Sequence, residues 1–223
     1  MIDLDYYLTN TFPGLTLVPS LYHQWHIGMH FELGAGMYQF KDDGRLHLEM
    51  FDYVYSQAMA IFNELFSDSD EMFLVTNVYQ HKSFESKKMN VYHHYIKNKD
   101  VKLSLRQETL PNVFDDEEAD NYFISSFSLK CYKQDIKYPL LIKAACNEDF
   151  PLKPKFRSAA SYPDVFFINI TKNVIFFIYD DRGCEVIATN KETILPIYEK
   201  YSDWLDEYSR DKMVNCFTIR NKR

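Results

Sequence analysis

Apolar residues recur with two different periods along this chain, and the switch between them marks out its elements. Across residues 49–66 the side chains of Phe51, Val54, Tyr55, Ala58, Ile61, Phe62 and Leu65 return every three or four positions, a broad stripe that predicts a helix. Across residues 25–33 the period is two. Trp25, Ile27, Met29, Phe31 and Leu33 alternate with His26, Gly28, His30 and Glu32, which predicts a half-buried strand with an open polar face. Residues 72–79 and 122–132 read as further strands, and 135–147 as a second helix. Three strands follow at 165–170, 174–179 and 184–188, joined by the turns Thr171-Lys172-Asn173 and Asp180-Asp181-Arg182-Gly183. The doublets Phe166-Phe167 and Phe176-Phe177 place large apolar groups on both faces, so these strands are expected to be covered on both sides.

A closing helix is expected over residues 193–208, with Ile194, Ile197, Tyr198, Tyr201, Leu205 and Tyr208 inward and Pro196 in its first turn. A short opening helix stops before Phe12-Pro13-Gly14, Lys41-Asp42-Asp43-Gly44 is a turn, and the prolines of 150–163 make a loop. No repeat or linker divides the chain. The expectation is one α+β domain over 1–223, with its core at about 12–208 and a polar tail at 209–223. Its sheet is mainly antiparallel and mixed, ends in a β-meander, and is packed by about three to four helices.

Composition fits a soluble globular chain, with one departure. Of 223 residues, 17 are Tyr and 18 Phe against only 6 Gly, which implies bulky cores and aromatic side chains left on the surface. No apolar run approaches the ~20 residues that span a bilayer, and the opening MIDLDYYLTN is acidic rather than leader-like, so a cytoplasmic location away from membranes is expected. Cys131, Cys146, Cys184 and Cys216 lie far apart without a C-x-x-C pair and read as reduced, buried residues, not a disulfide or zinc frame.

The net charge of −7 is uneven. Between Tyr79 and Arg106 seven cations face only Glu85 and Asp100, a net +5 that leaves −12 for the remainder. Lysines interleaved with Tyr79, Phe84, Tyr92 and Tyr95 are what phosphate contact and base stacking require, and Lys87, Lys88, Tyr92 and His94 are the ligand candidates here. The acidic balance of the whole chain weighs against nucleic acid. Directly afterwards Asp115, Asp116, Glu117, Glu118 and Asp120 form an acidic run suited to a basic partner.

Three histidines within residues 23–30 raise the question of a metal. On a strand, His26 and His30 stand roughly 13 Å apart, too far to share one zinc ion. The stretch carries no metal assignment. His26, His30 and Glu32 can instead line a pocket floor, where Gly28 and Gly34 admit close approach of a ligand. Nucleotide-cradling glycine motifs, G-x-S-x-G and H-E-x-x-H are all absent, so no cofactor is implied. Cys184 reads as an inert strand residue. Asp180, Asp181 and Arg182 cluster at one turn, where a charged partner could dock, although Asp and Gly are also ordinary turn residues.

The segments FPGLTLVPSLYHQWHIGMHFELG, FLVTNVYQHKSF, RQETLP, FSLKCYKQDIKYPLLIKAACNEDFP and YPDVFFINITKNVIFFIYDDRGCEVIA together resemble a bacterial domain family of unknown function, the one numbered thirty-eight eighty-five. The resemblance covers roughly residues 12–204 and supplies a single-domain extent but no catalytic residues. Size, acidity and missing motifs are also similar to small α+β immunity proteins that neutralise toxins, an analogy only.

The reading that follows is a non-enzymatic protein-binding module with an acidic, aromatic-rich surface. Its partner candidates are Asp115, Asp116, Glu117, Glu118, Asp180, Asp181 and Arg182, for a basic protein partner. The alternative is an enzyme or sensor for a small phosphorylated or nucleotide ligand at the His26/His30/Glu32 face and the basic 82–106 segment. A homodimer through residues 166–177 is a third possibility.

Overall fold

The computed structural model describes residues 3–83, 94–113, 119–156 and 162–218. Among them are seven strands: β1 Gly28–Glu32, β2 Glu71–His81, β3 Arg106–Pro111, β4 Tyr122–Tyr132, β5 Asp164–Asn169, β6 Val174–Asp180 and β7 Gly183–Ala188. They form one sheet in the order β1-β7-β6-β5-β2-β4-β3, and every neighbouring pair is antiparallel. The mixed sheet expected from the pattern is therefore wholly antiparallel, and its β5-β6-β7 meander is present. The helices are α1 Leu4–Thr11, α2 Leu21–Gln24, α3 Leu48–Leu65, α4 Lys99–Lys102, α5 Tyr138–Cys146, α6 Lys191–Tyr201 and α7 Glu207–Thr218. That is more than the three or four expected, because α2 and α4 are single turns and the closing helix is two. No helix among the described residues is long and apolar enough to cross a membrane.

Each face of the sheet has its own core. Phe167 and Phe176 point toward α3, α5 and α6, where Phe62, Leu65, Leu141, Ile142 and Ile194 close the larger cluster. Phe166 and Phe177 point the other way, stacked at 4.5 Å, beneath Tyr7, Phe12, Leu17 and Leu21 of the N-terminal segment. That burial removes the 166–177 hairpin as a dimer interface. Burial on both faces accounts for the continuous apolar runs of β5 and β6. At the end of α3, the buried Lys133 donates to the Phe66 carbonyl at 2.8 Å while lying over the rings of Phe62 and Tyr138.

Two elements depart from the pattern. The alternating stretch becomes a strand only from Gly28, because Leu21–Gln24 is a helical turn and Trp25 swings to donate from Nε1 to the Ala188 carbonyl at 2.8 Å. Gly28 makes this approach possible, since a Cβ there would lie 2.9 Å from the Tyr22 Cα. At the other end, α6 stops at Tyr201. Leu205 then bridges to Phe31 and Asp206 donates from its backbone to the His30 carbonyl at 3.2 Å. α7 restarts at Glu207, with Asp206 Oδ1 accepting from the Ser209 amide. Residues 209–218, expected as a polar tail, are thus helix, with Ser209 and Met213 fully buried.

Candidate functional site

His30 sits where α7 crosses β1. With Nδ1 protonated it donates to Asp206 Oδ2 at 2.7 Å, and Nε2 accepts from the Tyr179 hydroxyl at 2.9 Å. The ring lies between Tyr22 and Tyr179, with centroids 5.2 and 5.7 Å away, and the His30 amide donates to Ser209 Oγ. Directly opposite on β7 is buried Glu185, which accepts from the backbone amides of Ser20 and Tyr22. Burial pushes the Glu185 carboxyl up to about 7, and burial with neighbouring Asp180 drives the Tyr179 phenol upward. An Asp–His pair is the orienting half of a general-base constellation, but the nitrogen such a base would use is already held by Tyr179. The network fastens α2 and α7 to the sheet.

The expected His26/His30/Glu32 face therefore does not form. His26 is exposed against Trp25 with centroids at 5.3 Å, His30 is enclosed, and Glu32 is exposed at the end of β1. Lys87, Lys88 and Tyr92 lie outside the described residues, as do Asp115, Asp116, Glu117 and Glu118. His94 is exposed, just before the Ile96–Ile136 bridge.

The turn at 180–183 is built inside out from what a docking tip requires. Asp180 and Asp181 are 4 % and 1 % exposed, while Arg182 faces solvent and folds back on Asp180 through its amide (2.7 Å) and Nε (2.8 Å). Asp181 is capped by Gln39, whose Nε2 donates at 3.0 Å, and burial raises its carboxyl. Carboxylate oxygens of Asp149, Asp180 and Asp181 lie within 4.8 Å of one another. The guanidinium of Arg182 holds Asp180 and Gln39 caps Asp181, which makes the turn an anchor for the loop that carries Gln39.

That loop is the feature the sequence reading passed over. Residues 34–47 leave β1, fold into a small hairpin closed by the Phe40–Leu46 bridge, and enter α3. Besides Gln39, the pins are Gln57 Oε1 on the Gly34 amide at 2.8 Å, and the Phe40 ring against Phe150, itself packed on buried Phe51. So held, the loop and the first turns of α3 present Tyr38, Phe40, Leu48 and Tyr53 at 80, 54, 55 and 43 % exposure. Lys41 pairs with Glu49 and Arg45 with Asp43, but Glu32, Asp42, Asp52 and Asp149 are exposed carboxylates with no ion pair among the described residues. Between loop and turn lies a shallow cavity of about 270 Å³, lined by Glu32, Met37, Gln39 and Arg182 among others. The available signal was aromatic residues set in a loop rich in Gly and Asp, MYQFKDDGR, outside any helical or strand period.

Residues 4–209 match the family described as "Domain of unknown function (DUF3885)". The "Uncharacterized protein YnaE" of Bacillus subtilis (strain 168) is 50 % identical over 210 residues, which cover 93 % of this chain and 99 % of that protein. No solved structure matches. With the family match spanning the sheet, both cores and the acidic aromatic loop, the chain belongs to the DUF3885 family.

Proposed function

We propose that this protein is a binding module for a basic protein partner, of the inhibitor or immunity kind, acting through the acidic aromatic face of residues 32–53. One observation carries the reading: four large apolar side chains stand exposed on a pinned loop and the first turns of α3, ringed by carboxylates with no ion pair among the described residues. Aromatic anchors on a preorganised support are the usual centres of binding energy, because little entropy is lost when they are covered. The net charge of −7 attracts a basic surface over the Debye length and speeds encounter. In this scheme Arg182 and Asp180–Asp181 act as the loop's mount, while Asp115, Asp116, Glu117 and Glu118 add a second negative stretch.

The test is affinity capture in the native host, followed by binding kinetics on the captured partner. Tyr38→Ser with Phe40→Ser should weaken binding at least about tenfold, mostly through faster dissociation. Asp42→Asn with Asp52→Asn should slow association and flatten its salt dependence, and neutralising residues 115–118 measures the second stretch separately. A partner held equally well by the Tyr38/Phe40 variant would sink this reading. So would a small molecule retained in native mass spectrometry with no protein partner, which favours the phosphorylated-ligand alternative.

A further inference from the structure

The two edges of the sheet are treated differently. At the β1 edge, Leu205 bridges to Phe31 and the Asp206 amide takes the His30 carbonyl, so the strand is capped. At the β3 edge nothing comparable is present among the described residues, and all six residues of Arg106–Pro111 are exposed. An uncapped edge strand is a template for another strand unless something blocks it.

Which groups this edge offers follows from the register. Glu71 opposes Tyr132, yet the Glu71 amide and carbonyl are spent on Thr171 and Ile170, on the β5 side. Tyr132 must therefore point its own polar groups away from β2, and its amide indeed goes to Asp135 Oδ2. The pairing of β4 is unbroken, so every even residue, including Ser128, Ser126 and Ile124, faces β3. Their partners Arg106, Glu108 and Leu110 bond inward. Gln107, Thr109 and Pro111 then point outward, and Pro111 loses no ladder bond by lacking an amide hydrogen.

We infer that β3 pairs antiparallel with β3 of a second copy, across a two-fold axis at Gln107, joining two sheets into one. Of the symmetric registers that bring outward groups face to face, those centred on Leu110 and Pro111 set Pro111 against Thr109 or against its own copy and lose bonds to proline. An axis at Glu108 sets Glu108 against its own copy, a like-charge contact at the closest spacing. An axis at Thr109 places Pro111 opposite Gln107 and forfeits a bond. The Gln107 axis also forfeits one, where Thr109 meets Leu105, whose amide is held by the Lys102 carbonyl. The Thr109 axis, however, sets Glu108 against Leu110 and not against Arg106. The axis at Gln107 lets the two Gln107 residues exchange both amide–carbonyl bonds. It also places Arg106 of each copy opposite Glu108 of the other, in the close non-hydrogen-bonded pairs. The same register carries the chain around Leu103, 86 % exposed, toward Leu110 and Pro111 of the second copy. Arg106 is available for this, its one ion pair among the described residues being with Asp3 at 3.9 Å. This edge lies across the sheet from the acidic aromatic face and does not depend on the function proposed for it.

Sedimentation equilibrium of the full chain over a wide concentration range decides the matter. A reversible species at twice the 26.6 kDa chain mass is expected. Gln107→Pro removes the outward amide hydrogen without touching a bond to β4 and should weaken association at least about tenfold, with the circular dichroism unchanged. Arg106→Glu alone should weaken it similarly, and adding Glu108→Arg should return it to within about threefold. The swap settles the question should the proline variant unfold. A strict monomer up to about millimolar concentration, a dimer indifferent to Gln107→Pro, or a double swap that fails to restore would each overturn the pairing.

Discussion

Gly183 shows how much can hang on a missing methyl group. Its conformation is ordinary, yet a Cβ built there would stand 2.8 Å from His30 Nε2 and 2.7 Å from the Tyr179 Cζ. The glycine is what lets the Tyr179 hydroxyl reach His30 across the sheet. Gly183→Ala must push the phenol aside, break that bond and loosen the Asp206 contact behind it. The expected cost is about 1–3 kcal/mol, the range for overpacking a filled site, read by denaturant unfolding. A loss below about 0.5 kcal/mol would mean that Tyr179 moves freely and the network is not rigid. In the sequence Gly183 read only as a turn residue, since its role depends on side chains that converge from β1 and β6.

Elements were legible where one face met one neighbour. α3 and β4 fall within a residue of their expected bounds because a single stripe, or a single apolar set, decides them. Alternation from Trp25 misled because two of the even positions, Gly28 and His30, are covered as well: His30 lies under α7 and opposite Glu185, so its polarity reports an enclosed network and not solvent. Periodicity also ran across the break between α6 and α7, since Leu205 and Tyr208 keep the helical spacing and the contact that ends α6 comes from Phe31. The loop of residues 34–47 has no period to detect, and only its composition hinted at it. Glu185, the residue that ties α2 to β7, carries a pH prediction. Its folded value, about 7, lies above its ordinary 4.5, so the native state holds the proton more tightly than the unfolded chain. Its stabilising contribution is therefore full below about 4.5, is lost as pH rises to about 7, and is flat above that. Glu148, raised to about 7 by burial and then by Asp164, and Asp164, raised to about 6 by burial, act in the same direction. Thermal unfolding should give a lower midpoint at pH 8 than at pH 5.5. Glu185→Gln should recover up to about 3 kcal/mol at pH 8 and little at pH 5. Equal gains at both pH values would show that Glu185 is not the group being titrated.

At the scale of the whole molecule the two ends of the fold hold each other in place. Lys212 on α7 donates from Nζ to the carbonyls of Tyr22 (2.5 Å) and Trp25 (2.9 Å), and Ser209 takes the His30 amide. α7 thus bears on the segment that covers the Phe166–Phe177 core, and it is fastened to α6 by Tyr198 on Phe217 and by Lys191 on the Cys216 carbonyl. Ending the chain after Asp206 removes all of these contacts together with the buried Met213. Burial of that side chain is worth about 2 kcal/mol and each of the four lost bonds about 1, for a total of roughly 6 kcal/mol and about 15 °C in midpoint. The loss should not be shared evenly. Hydrogen exchange should quicken most across residues 21–31, which lose their cover, and less in α3 and β2, whose larger core loses Met213, Cys216 and Phe217 but keeps its α5 side. Uniform acceleration would show that the two cores unfold as one unit. Unchanged exchange at 21–25 would show that Glu185, the Trp25–Ala188 bond and the packing of Leu21 suffice to secure this segment to the sheet.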